Sequence, residues 1–159
     1  MSIIKQNIGI EVDSKKLKVS FRCLMYDDLH IKTIGRRTFD NTKAGFEGLR
    51  QWANKKKRND QTLHMTMEAT GIYYENLAYY LHDCDEFSIH VLLPNISKGY
   101  RKSLNLKSKT DDIDSGMLAQ LGLERRLKTW TPMSKQMRSL KKVNRERLRL
   151  IKEKTMIIN

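Results

Sequence analysis

Lys109-Thr110-Asp111-Asp112-Ile113-Asp114-Ser115 is the stretch on which the reading of the chain turns. Asp111 and Asp114 stand three apart, which on a helix puts them on one face about one turn from each other. Ile113, Met117, Leu118 and Leu121 continue at helical spacing, so the segment has an apolar stripe with which to pack. Two carboxylates held side by side repel each other unless something positive lies between them. A divalent cation with oxygen ligands, such as Mg²⁺, answers that need. A purely structural answer also exists. Acids in a first helical turn complement the macrodipole, and Ser108-x-x-Asp111 fits a capping box.

The rest of the chain narrows the choice. Its 159 residues, 39% of them hydrophobic, suffice for one core of ordinary domain size. A net charge of +13 points to a polyanionic partner, most simply nucleic acid, although ribosomal-type and membrane-surface proteins share that sign. The charge is uneven: residues 1–93 carry 14 Lys and Arg against 12 Asp and Glu, residues 94–159 carry 17 against 6. A nearly neutral half thus precedes one that seeks phosphate. No apolar run approaches a membrane span, and the N-terminus lacks a signal-peptide pattern. Cys23 and Cys84 lie far apart and form no C-x-x-C, which suits a reducing cytoplasm and argues against a disulfide framework or a zinc knuckle. His30, His64, His82 and His90 have no metal-ligand spacing and read as structural or surface residues.

The hydrophobic pattern predicts strands over 3–12, 17–25 and 31–39, with Asp13 to Lys16 as a tight turn. Asp40-Asn41-Thr42 is an N-cap cluster for a helix over 42–57 that stripes Phe46, Leu49 and Ala53 beside Trp52. A strand over 63–68 breaks at Ala69-Thr70-Gly71. An aromatic-rich helix over 72–81 and a strand over 87–93 follow, the latter stopped by Pro94-Asn95. Residues 96–109 are basic and poorly periodic, expected as a mobile loop or short helix. The Asp111 helix, a break at Thr131-Pro132, and a long helix from Ser134 complete the order. Three strands joined by short turns imply an antiparallel meander, and the helix–strand units that follow imply parallel additions. The expected fold is α/β, a mixed five-stranded sheet with flanking helices and a long C-terminal helix.

In such a sheet the first strand is central and the fourth can lie beside it. Glu11, late in the first strand, and Glu68, ending the fourth, would then meet near the start of the Asp111 helix. Glu11 could equally be a solvated strand residue with Asp13 as the available acid, and Glu68 could serve only to orient the Thr70-Gly71 turn. Taken together, the four acids point to a metal-dependent phosphodiester site.

Three motifs carry a resemblance to a known family. Gly9-Ile10-Glu11-Val12 with Lys15-Lys16-Leu17, then Glu68-Ala69-Thr70-Gly71, then Lys109-Thr110-Asp111-x-x-Asp114 resemble, in order, the DEDD transposases related to the Piv DNA invertases. The resemblance implies an RNase H-like, RuvC-like catalytic domain over 1–125. It implies that Glu11, Glu68, Asp111 and Asp114 hold Mg²⁺ or Mn²⁺ where DNA strands are cut and rejoined, and that a structured guide RNA takes part. It also implies a bacterial cytoplasmic protein working at the nucleoid. Two departures stand out. The family's first acid is usually Asp, whereas this chain has Glu11, one methylene longer. Family members also carry a further C-terminal domain with a nucleophilic serine after a helical coiled-coil region. This sequence stops at Asn159, so it is expected to be an N-terminal piece that does not recombine DNA alone.

The last segment, 134–159, reads as the start of that helical region. Met137, Leu140, Asn144, Leu148, Ile151, Thr155 and Ile158 fall on one stripe at 100° per residue. Arg138, Lys142, Arg145 and Arg149 gather on the other side, with Lys135, Lys141 and Lys152. This predicts a helix that pairs with a second copy and touches phosphates, the alternative being a solvated charged face. Lys98, Arg101, Lys102, Lys107 and Lys109 would add phosphate contacts near the acids. Three other readings remain at this point: a stand-alone RuvC-like junction nuclease, a catalytically silent nucleic-acid-binding module, and an actin-like ATPase suggested by the hairpin around Gly9. The ATPase ranks last because a second Gly-rich phosphate loop is missing from the sequence.

Overall fold

The computed structural model describes residues 2–158. β1 (Ile3–Val12), β2 (Lys16–Met25) and β3 (Ile31–Asp40) form an antiparallel meander, followed by α1 (Lys43–Lys56). β4 (Leu63–Glu68), α2 (Glu75–Asp83) and β5 (Phe87–Leu92) come next, then α3 (Pro94–Ser103), α4 (Asp111–Glu124) and α5 (Lys135–Ile158). The five strands lie in the order β3-β2-β1-β4-β5, with β1–β4 and β4–β5 parallel. β1 is therefore central and β4 its neighbour, as the strand order of the sequence predicts.

Side chains alternate across the sheet with a period of two. One face presents Ile8, Ile10, Leu17, Val19, Phe21, Met65 and Met67, which share a core with Phe46, Leu49 and Trp52 of α1 and Leu77 and Leu81 of α2. Phe21 and Phe39 meet Trp52 edge-on, with ring centroids 6.3 and 6.0 Å apart. Burying each such side chain stabilises the fold by roughly 1.5–3 kcal/mol.

The other face of β1 carries Lys5, Asn7, Gly9 and Glu11, and α4 lies directly across it. Contact is this close because Gly9 has no side chain: a Cβ there would strike the backbone of Ser115 and Ala119. Asn7 Nδ2 donates to the Ala119 carbonyl at 2.8 Å, and Thr66 Oγ1 donates to Asn7 Oδ1 at 3.1 Å. Lys5 Nζ donates to the carbonyls of Gly122 (2.5 Å) and Arg125 (3.1 Å), placing a cation at the helix C-terminus, where the dipole favours it. The outer side of α4 is covered by a second cluster: Leu92, Tyr100, Met117, Leu118 and Leu121, with Leu104 and Leu106 against it.

Three local expectations change. α2 starts at Glu75, three residues later than the apolar pattern indicates, because Gly71 adopts a left-handed φ of +58° in a turn that delays the helix. Residues 94–103 form a regular helix rather than a loop; Pro94 both stops β5 and opens α3, a position where its missing N–H costs nothing. The α4 N-cap is Thr110, whose Oγ1 accepts from the Ile113 amide at 3.2 Å, so Ser108 does not form the capping box.

Candidate active site

The parallel pairing of Ile10 with Met67 carries Glu11 and Glu68 side by side to the carboxyl ends of β1 and β4. Both point to the α4 face. There, Glu11, Glu68 and Asp114 line one cleft of about 130 Å³ together with Lys98, Arg101 and Lys109. Asp111, exposed in the first turn of α4, does not line it. It still acts on the cleft electrostatically. The Glu11 carboxyl is pushed up to about 7, first by burial and then by the charges of Glu68 and Asp111, while Lys109 and Arg101 pull it back. Asp13 lies beyond the end of β1, exposed in the turn, and is not part of the cleft wall.

Asp114 is buried, and the Arg101 guanidinium lies against its carboxylate as an ion pair. Glu68 is held at both oxygens. Thr70 Oγ1 donates to Oε1 at 2.7 Å, and the buried Ser97 hydroxyl donates to Oε2. The structural role considered for Glu68 is thus present, in addition to its place in the cleft. Ser97 escaped the sequence reading because its segment looked aperiodic; the signal was Pro94 as a helix start, which sets Ser97 and Arg101 four apart on one face of α3.

Among the described residues, no three His, Cys, Asp or Glu side chains are gathered tightly enough to hold a metal ion as they stand. The donor set nevertheless fits a hard divalent cation on two observations. Glu11, Glu68 and Asp114 are hard oxygen donors lining one cleft, and Glu11 is destabilised as an anion by neighbours whose repulsion a cation would relieve.

The basic residues divide. Lys98, Arg101 and Lys109 line the acid cleft, whereas Lys102 and Lys107 are exposed outside it. On α5, Arg145 Nη2 and Lys141 Nζ pair with Glu75 of α2 at 2.7 and 3.0 Å, and Arg138 stacks 3.8 Å from the Tyr79 ring centroid. Arg149 pairs with Glu146 and Glu153 of its own helix. The basic side of α5 therefore faces the sheet domain, and the apolar stripe, with Met137, Leu140, Leu148 and Ile151, faces solvent.

This mixed sheet, with its acids at the ends of two adjacent parallel strands, is the RuvC-like form of the RNase H fold. Thermus thermophilus RuvC matches it with a TM-score of 0.54 at 9% identity, over 79% of this chain and 99% of that one. The fowlpox virus Holliday junction resolvase matches with a TM-score of 0.52 at 15% identity, over 75% and 98%. Likenesses at such identities bear on the fold alone. Within that class, the chain belongs to the DEDD transposase family, whose model, described as a transposase, matches residues 10–159. The pilin gene-inverting proteins of Moraxella bovis and Moraxella lacunata are each 34% identical over 122 residues, 74% of this chain. The chain spans 38% of the length of each of those relatives. Among the described residues, no helix is long and apolar enough to cross a membrane.

Proposed function

We propose that the chain is the catalytic part of a DNA transposase, cutting and rejoining phosphodiester bonds at the cleft between β1, β4 and α4. The observation that carries this reading is the meeting of Glu11, Glu68 and Asp114, from three separate elements, beside Lys98, Arg101 and Lys109. Glu11, Glu68 and Asp114 would hold Mg²⁺ or Mn²⁺, with Asp111 at the exposed helix start as the fourth acid. When bound there, the ion would supply Lewis-acid polarisation of a phosphate and activation of an attacking oxygen. The chain's own contributions are distinct. Ser97 and Thr70 fix the Glu68 carboxylate, the hydrogen bonds between Asn7, Thr66 and α4 hold the helix at its height above the sheet, and Lys98 and Lys109 offer positive charge to the scissile phosphate.

In this reading residues 1–125 are the catalytic unit, and 134–159 begin a helical region through which copies associate. Lys142, with Lys102 and Lys107, contacts nucleic acid, including a structured guide RNA, whereas Arg138, Arg145 and Arg149, expected from the sequence to share that role, are engaged by Tyr79, Glu75 and the acids of α5 itself. The test is strand transfer on DNA by this chain extended to the length of the Moraxella relatives. Asp111→Ala and Asp114→Ala should each reduce it by roughly a hundredfold or more with an unchanged circular dichroism spectrum. Strand transfer that survives both substitutions would rule out the acid cleft as the site of chemistry.

A further inference from the structure

A second cavity, of about 370 Å³, adjoins the acid cleft, and Met117 lines both. Arg22 of β2 and Arg36 of β3 form its basic wall; Leu104, Leu106 and Ile113 form its apolar wall. The two arginines come from paired strands, Arg36 opposite Ser20, and both project to the α4 face. Neither takes part in any ion pair among the described residues. Arg22 is half-buried; its Nη1 donates to Gln120 Oε1 at 3.3 Å, and its buried Nε has no hydrogen-bond partner. α4 makes room for that guanidinium at Gly116, where a Cβ would collide with Nη2.

A half-buried arginine with no counter-ion, beside a second arginine, is an unfavourable arrangement unless an anion completes it. Burial and the charge of Arg36 both lower the Arg22 pKa, in line with that cost. A planar guanidinium matches the oxygens of a phosphate better than any other side chain does. The cavity is larger than a phosphate needs, and its remaining wall is apolar, which suits a base. Asp112, also in the lining, offers an acceptor to base-edge donors.

We propose that this cavity binds one unstacked nucleotide of a DNA strand running past the acid cleft, its phosphate held by Arg22 and Arg36. The assignment rests on the DNA-processing reading above and adds to it a subsite that positions the strand on the β2–β3 side of the acids.

Fluorescence anisotropy with a labelled single-stranded DNA oligonucleotide tests it on the chain as it stands. Arg37 is the internal control: it neighbours Arg36 in sequence, carries the same charge and points to the opposite face, where its guanidinium lies 5.3 Å from the Phe39 ring centroid. Arg36→Gln and Arg22→Gln should each weaken binding about five- to tenfold, and Arg36→Gln should lower the log–log salt slope by about 0.7. Arg37→Gln should leave both nearly unchanged. Arg36 is exposed on an edge strand, so its replacement does not endanger folding even if that of Arg22 does. Equal losses for Arg36→Gln and Arg37→Gln would reduce the effect to general surface charge and overturn the subsite while leaving the DNA reading standing. An Arg36 effect seen on an RNA strand and not on DNA would overturn it as well. Wild-type chain that binds no DNA even at low salt would remove the DNA-processing reading and the subsite with it.

Discussion

Glu11 and Asp114 show how single side chains here are placed at a cost. The first is pushed up to about 7 by burial and by like charges, and the second is a buried carboxylate set against the Arg101 guanidinium. His64 and His90 form another such point, on the same sheet face. Their rings stack 5.3 Å apart, with His64 Nδ1 3.0 Å from His90 Nε2. His90 Nδ1 also lies 3.0 Å from the Lys128 carbonyl, to which it can only donate. In the neutral pair His90 Nε2 therefore accepts, and His64 Nδ1–H donates. Burial first, then Lys5 and His90, lowers His64 from 6.5 to about 4, and burial lowers His90 too. The unfolded chain then binds more protons between those values, so stability contributed above pH 6.5 is lost as pH falls through 4. Glu11 acts in the opposite sense, its raised pKa costing stability as pH rises from 4.5 through about 7. The clean readout is thus a difference between proteins. Urea unfolding at pH 7 and pH 5 should show the wild type losing about 1 to 2 kcal/mol relative to His64→Gln. Parallel behaviour of the two proteins would contradict the buried neutral pair.

At the scale of elements, everything in the site depends on how near α4 lies to β1. Gly9→Ala should destabilise the fold by about 2 kcal/mol or more, because the new methyl meets helix backbone rather than a side chain that can turn away. A denaturant midpoint equal to that of the wild type would show that α4 can lift off freely. This contact explains what was legible in the sequence and what was not. The strands announce themselves through alternation, as in Leu17, Val19, Phe21 and Cys23, all of them buried. The order of three strands and two helix–strand units leaves few arrangements, so the neighbouring of Glu11 and Glu68 could be foreseen. The burial of α4 on both sides could not, because its apolar residues Met117, Leu118 and Leu121 pack into the outer cluster, while the side that meets the sheet is built of the small residues Ser115, Ala119 and Gly122. Hence Asp111 and Asp114 share a face in projection yet differ in place. Three residues at 100° leave them 60° apart, enough at this helix start to leave Asp111 in solvent while Asp114 is buried. Arg22 gave no local signal at all: its meaning comes from Gly116, far along the chain and packed against it only in the fold.

For the molecule as a whole, the excess positive charge of residues 94–159 is partly spent internally. Lys141 and Arg145 neutralise Glu75 and dock α5 beside α2, so α5 presents its apolar stripe outward with Leu140, Val143 and Leu150 exposed. Lys98, Arg101 and Lys109 stand beside the acids. The central claim is that these acids exist to hold a divalent ion at the site of DNA cleavage, and calorimetric titration of the chain with Mn²⁺ near pH 7 addresses it most directly. The account predicts saturable binding of one or two ions, abolished by Asp114→Asn and by Glu68→Gln. Proton release should accompany it, since Glu11, raised to about 7 without metal, must ionise to become a ligand. Mn²⁺ heats that are absent in the wild type, or unchanged by both substitutions, would contradict it.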